Sequence, residues 1–248
     1  MTDESAAGDA APAAPGRPQL TARSFTAWPA WADLSLDVVH YGPDLPTEAD
    51  LKLLGRLDGK RVLELGCGGG PSSVALARQG AKVIAVESSP EQVQHARRLC
   101  EQEHVTVELH QGDLADLAFV RADTVDAALS IYALGMVEDL DRVFRQVHRV
   151  LKPDAPFVVS LPHPAWRARD DRTWWDRSPI DWADGTERGA DYPATISHVF
   201  TSLTRANFRV DTLLEPAPPR TTARSRWWDQ AMDRVPSTLI IRARKEGT

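Results

Sequence analysis

The segment Arg61–Ala77, RVLELGCGGGPSSVALA, joins an apolar strand pattern to a helical one through Gly66-Cys67-Gly68-Gly69-Gly70. Pro71 stands where the helix would begin, a position at which its missing N–H costs little. Glycines in such a turn permit backbone conformations that side chains forbid. They also let a ligand approach the main chain with no Cβ between. A chain with this feature must set a buried strand and a helix on either side of a tight turn of exposed backbone.

The same alternation continues along the chain. AKVIAV (81–86) is an unbroken apolar run, as in a strand buried on both faces. Residues 88–103 open with Ser and Pro and read as a helix. Strands are expected at 104–110, 125–131, 156–161, 208–214 and 237–243, with helices at 47–57 and 195–206. The clearest helix is 138–151, where Leu140, Val143, Phe144, Val147, Val150 and Leu151 form one apolar stripe. Strands alternating with helices imply an α/β fold, a Rossmann-like, mostly parallel sheet with helices on both faces.

Of the 248 residues, 42% are hydrophobic, enough for a sizeable core without cross-links. Two cysteines are too few for a disulfide framework and fit a reducing, cytoplasmic setting. No Cys/His cluster suggests a metal. Residues 1–22 are rich in Ala, Pro and acids and read as a disordered tail, leaving 23–248 as one domain. No run of about 18 apolar residues implies a membrane span. A net charge of −6 argues against nucleic acid as a partner.

In a doubly wound sheet, ligands bind beyond the carboxyl ends of the strands. The glycine turn lies there. A dinucleotide fingerprint would continue Gly66-x-Gly68 with a third glycine at position 71, which is Pro71. Glu64 lies two residues before the first glycine, where its charge would repel a phosphate and suit a cationic ligand. Glu87, ending the second strand, can accept both hydroxyls of a ribose. Asp113, beyond the third strand, can accept an adenine amine while Leu114 packs on the ring.

Glu64-x-Gly66-x-Gly68-x-Gly70, Glu87, Gly112-Asp113, DAALSIYAL and RVLKP together resemble the class I S-adenosylmethionine-dependent methyltransferases of the small-molecule "type 11" kind. The resemblance covers about Asp58 to Leu161, and implies a seven-stranded sheet with its last strand antiparallel. It implies S-adenosylmethionine as cofactor, with Gly66, Cys67 and Gly68 along the methionine moiety and Glu64 near its amino group. Glu87 and Ser88 would lie by the ribose, Asp113 and Leu114 by adenine, and Ser130 by the methionine moiety. Tyr41 would close over the cofactor.

The implied activity is methyl transfer to a small-molecule acceptor. His163, in SLPHPAW after the fifth strand, is the expected general base or acceptor-binding group. Trp28, Trp31, Tyr132 and Trp166 are the other expected acceptor-site residues, with 163–194 as a lid-like insertion. All eight tryptophans lie outside the stretch that carries the resemblance. Two other readings stay open: a non-catalytic scaffold of the same fold, and a nicotinamide-dependent oxidoreductase.

Overall fold

The computed structural model describes residues 20–27, 34–168, 173–184, 187–219 and 224–247. Its centre is a seven-stranded sheet of β1 (Arg61–Leu65), β2 (Lys82–Glu87), β3 (Val107–Gln111), β4 (Ala127–Ile131), β5 (Pro156–Pro162), β8 (Phe208–Leu214) and β9 (Thr238–Lys245). The order is β3-β2-β1-β4-β5-β9-β8. Neighbours from β3 to β5 pair in parallel, and β9 runs antiparallel to β5 and β8. The order reverses between β1 and β4, which opens a crevice at their carboxyl ends.

The period-two geometry of the strands divides the core between the two faces. Leu63, Leu65, Ile84 and Val86 pack with Val143, Phe144 and Val147 of α5 (Leu140–Val150) and Val199 and Leu203 of α7 (Ile196–Arg205). Val62, Val83 and Ala85 pack on the other face with Val74 and Leu76 of α3 (Pro71–Arg78) and Leu99 of α4 (Pro90–Gln102). Helix starts follow local chemistry: Ser89, Asp139 and Thr195 accept the backbone N–H groups of Gln92, Arg142 and His198.

Two expected elements differ. The 47–57 helix is only α2 (Glu48–Leu51), because Lys52 turns left-handed at φ 54°. Buried Glu48 then accepts the N–H groups of Leu53 and Leu54 at 2.9 and 2.7 Å, ending the helix around its own carboxylate. The third strand starts at Val107 rather than 104, since His104 (φ 53°) belongs to the turn that closes α4.

The remaining elements form a cover. It comprises α1 (Ala22–Thr26), α6 (Pro164–Ala168) and a hairpin of β6 (Ile180–Asp184) and β7 (Glu187–Asp191). The hairpin lies within the 163–194 insertion. Leu20 and Ala22 are buried, so packing begins inside the stretch expected as a tail; residues 1–19 lie outside the described set. Among the described residues, no helix is long and apolar enough to cross a membrane.

Candidate functional site

The glycine turn leaves β1 still tied to β2: the N–H groups of Gly66 and Cys67 both donate to the Val86 carbonyl, at 2.8 and 3.2 Å. Gly66, Gly68 and Gly70 have φ of 70°, 52° and 94°, the left-handed region that glycine enters without strain. The space beside two of them is used by the chain itself. A Cβ on Gly66 would lie 2.0 Å from the Ala133 Cβ, and one on Gly68 would lie 2.1 Å from the Thr26 carbonyl oxygen. Absence of a side chain therefore lets α1 and the segment after β4 close directly on the turn.

Two carboxylates flank it. Glu64 is buried on β1 and accepts a short hydrogen bond from the Ser73 hydroxyl. Burial pushes its pKa up to about 7, against the Ser73 bond, with the charge of Glu87 adding to the rise. Glu87, also buried, accepts the N–H of Gly68 at 2.9 Å with one oxygen and the N–H of Ser89 at 2.9 Å with the other. The exposed Ser88 hydroxyl adds a longer bond of 3.4 Å. Glu87 thus holds the turn in shape and keeps oxygen lone pairs beyond those the two amides use.

Between the turn and α1 lies a cavity of about 420 Å³, its open mouth included. Glu64, Gly66, Cys67, Pro71 and Ser72 form one side. Phe25, Thr26, Leu34, Val38, His40 and Ile131 form the rest. A buried carboxyl in a mostly apolar lining suits a ligand carrying positive charge, so this donor set fits the ammonium end of S-adenosylmethionine.

The other expected residues divide. Leu114 is buried, its Cδ1 within 3.4 Å of where a Gly66 Cβ would be. Asp113 is exposed; it caps the Ala115 N–H at 2.8 Å and pairs with Arg142 at 3.2 Å. Ser130 is buried with its hydroxyl on the Leu65 carbonyl. Tyr41 does not line the cavity: it is fully buried with its hydroxyl on Glu48, and its neighbour His40 takes the wall position. Tyr132 is fully buried at φ 60°, its ring 4.8 Å from that of Phe25 and its hydroxyl bonded to Thr238. A bulky residue in that backbone region is strained and is held by its surroundings. Trp166 is buried in the core; Trp28 and Trp31 lie outside the described residues.

His163, the expected base or acceptor-binding group, has both ring nitrogens engaged. Its Nδ1 accepts the Ala165 N–H at 3.0 Å, so that nitrogen carries no proton. Its Nε2 is 2.7 Å from Glu215, to which it donates. Burial lowers its pKa against the pull of Glu215, and both ring nitrogens are committed to the protein. No local pattern links Glu215, beyond β8, to this ring.

The cover reaches the site through charges that sequence reasoning missed. Arg23 pairs with Glu187 at 2.5 Å, and Glu187 also accepts the Ser89 hydroxyl, beside Glu87. Asp191 accepts the Ala22 N–H at 3.2 Å and pairs with Arg167 at 2.9 Å. No motif announces such pairs, since their partners are over a hundred residues apart in sequence for Arg23 and Ala22.

A family model described as "Methyltransferase domain" matches residues 62–154. A ubiquinone biosynthesis O-methyltransferase of Xanthomonas oryzae pv. oryzae is 37% identical over 107 residues, 42% of this chain and 45% of that protein. A demethylmenaquinone methyltransferase of Tropheryma whipplei is 36% identical over 120 residues, 47% of this chain and 48% of that protein. The chain thus spans about half the length of the curated relatives it matches. An S-adenosylmethionine-dependent methyltransferase structure from Mesorhizobium loti superposes with a TM-score of 0.64 at 26% identity, covering 79% of this chain and 95% of that one. Residues 62–154 thus carry a methyltransferase domain, with its glycine turn between two buried carboxylates, and the chain's fold is similar to that of S-adenosylmethionine-dependent methyltransferases.

Proposed function

We propose that this protein binds S-adenosylmethionine at the carboxyl edge of its sheet and catalyses methyl transfer to a small, partly apolar acceptor. The observation that carries this reading is the pair Glu64 and Glu87, buried on adjacent strands either side of the glycine turn, with a covered cavity opening onto Glu64. Glu64 would offset the ammonium charge, Gly66, Cys67 and Gly68 would lie along the methionine chain, and Glu87 with Ser88 would take the ribose. Leu114 would pack on adenine and Asp113 would accept its amine, after leaving Arg142. Ser130 would act through its backbone alone.

When bound, the sulfonium supplies an electrophilic methyl carbon. The protein's part is then to hold the acceptor in line at about 3–3.5 Å and to keep water out. Phe25, Leu34, Val38 and Ile131 supply the dry wall. The quinone-precursor methyltransferases among the relatives favour small-molecule acceptors. The matched domain ends at residue 154, before the insertion and the second half of the cover. An acidic balance of −6 disfavours nucleic acid, and two buried, unpaired cysteines suit the cytoplasm.

Calorimetry with S-adenosylmethionine and, separately, NAD tests the cofactor. Tight binding of the first and none of the second is expected, and the reverse would overturn the reading. Release of S-adenosylhomocysteine across a panel of small acceptors tests the reaction. Binding without turnover on any of them would favour a non-catalytic scaffold.

A further inference from the structure

His163 has no free ring nitrogen, but His40 does, and it lines the cavity. The His40 Nε2 lies 3.1 Å from the Ser35 carbonyl oxygen. A carbonyl can only accept, so Nε2 carries the proton and Nδ1 holds a lone pair. Among the described residues nothing donates to Nδ1. The backbone around this bond is also tied down. His40 bridges to Thr47 through its backbone. The turn that presents the Ser35 carbonyl is braced by Asp37, whose N–H donates to the Ser35 hydroxyl and whose carboxylate pairs with Arg78 of α3 at 2.6 Å. Gln79 adds a bond to the Asp37 carbonyl at 3.3 Å.

We propose that His40 is the general base of methyl transfer and that the acceptor is a phenolic or enolic hydroxyl, which makes this an O-methyltransferase. The inference rests on the methyl-transfer reading above. An amine with a free lone pair needs no base to attack a sulfonium methyl, whereas a neutral hydroxyl is a poor nucleophile until its proton leaves. A preoriented imidazole lining the cavity is suited to take that hydroxyl proton. In the step, the hydroxyl proton passes to Nδ1 as an oxygen lone pair forms the new C–O bond. The C–S bond breaks with its electron pair going to sulfur, leaving a neutral thioether and a His40 imidazolium. Burial lowers the His40 pKa, against the raising effect of the Ser35 bond, so the ring starts neutral at pH 7. Cys67, in the same lining, stays a thiol because burial raises its pKa.

The test compares wild type with His40→Gln and His40→Asn. Probes are catechol, a hydroxybenzoate and a hydroxyquinone, with glycine and histamine as amines. Expected are cofactor Kd values within about threefold of wild type and turnover of the hydroxyl probes reduced about a hundredfold or more. The variants' residual rate should climb with pH as the probe itself ionises, where wild type levels off. In wild type, 15N spectra of the histidine rings should show His40 Nδ1 unprotonated at pH 7.5. A protonated Nδ1, unchanged turnover in the variants, or methylation of the amines alone would overturn the proposal. A large loss of cofactor affinity in both variants would also overturn it, by making His40 a cofactor ligand. Wild type that fails to bind S-adenosylmethionine would instead overturn the underlying reading.

Discussion

The sheet edge and its cover are built on different physics. The edge from β1 to β5 is held by parallel hydrogen-bond ladders, with apolar side chains buried on both faces. The cover is made of two five-residue helices and a two-stranded hairpin, elements too short to persist alone. It is fastened by apolar anchors, Phe25 against Tyr132 and Trp227 with Trp166 in the core, and by the polar contacts Arg23–Glu187, Arg167–Asp191, Ala22 on Asp191 and Ser89 on Glu187. A ladder joins neighbouring strands along their whole length, whereas the cover is joined at a few separate points. A rigid rim with a separable cover is what a site needs if ligands must enter and water must then be excluded.

The contrast is broken most severely at its seam. Gly66→Ala puts a Cβ 2.0 Å from that of Ala133 at φ 70°, so overpacking and backbone strain add. A loss of about 3 kcal/mol is expected in denaturant unfolding. A change below about 1 kcal/mol would mean the seam is looser than drawn. Next is Asp191→Asn, which leaves Arg167 half-sheltered without its charge partner. The cover should loosen by about 3 kcal/mol, seen as faster hydrogen exchange at the Ala22 amide, with exchange in β1 and β4 unchanged. Equal acceleration in both regions would show that the cover and the sheet are one cooperative unit.

Glu87→Ala should weaken S-adenosylmethionine binding by at least about 1.5 kcal/mol, roughly tenfold, with the sheet intact. Unchanged affinity in calorimetry would remove Glu87 from the site. Glu64 brings pH into the comparison. With a pKa near 7 it is protonated below that value, while a cation needs it ionised. Affinity should therefore fall as pH drops through 7, binding near pH 6.5 should release a proton, and affinity should level off above about pH 8. Glu64→Gln should abolish the slope. The smallest effect is expected at exposed Asp113: under about 1 kcal/mol of affinity, with Asp113→Leu worse than Asp113→Asn.

How much could be read in advance follows the same division. Helix α5 was legible because its stripe is periodic and its Asp139 cap is local. The glycine turn, Glu64 and Glu87 were legible because a motif fixes them relative to strand ends. Helix α2 was overextended because Leu51, Leu53, Leu54 and Leu57 are apolar at nearly helical spacing, while Glu48 captures two amides and stops it. The hairpin strands IDWAD and ERGAD are polar and lack strand-forming pattern; Asp184-Gly185 between them was the available turn signal. Tyr41, expected at the site by resemblance, and His163, expected there by its place after the fifth strand, are both engaged by carboxylates, Glu48 and Glu215, that no local pattern connects to them.

The antiparallel run of β9 has a practical consequence. Strand β9 carries the chain from Thr238, beside Pro162 at the ligand edge, to Lys245, whose carbonyl accepts the Asp154 N–H at the opposite edge. A fluorophore or surface tether attached just after Lys245 would therefore sit a full strand length from the cavity. Attached ahead of α1, the same tether would bear on the segment whose Thr26 carbonyl rests against Gly68. Immobilised or labelled forms should accordingly be joined beyond β9 when ligand binding is the quantity to be read.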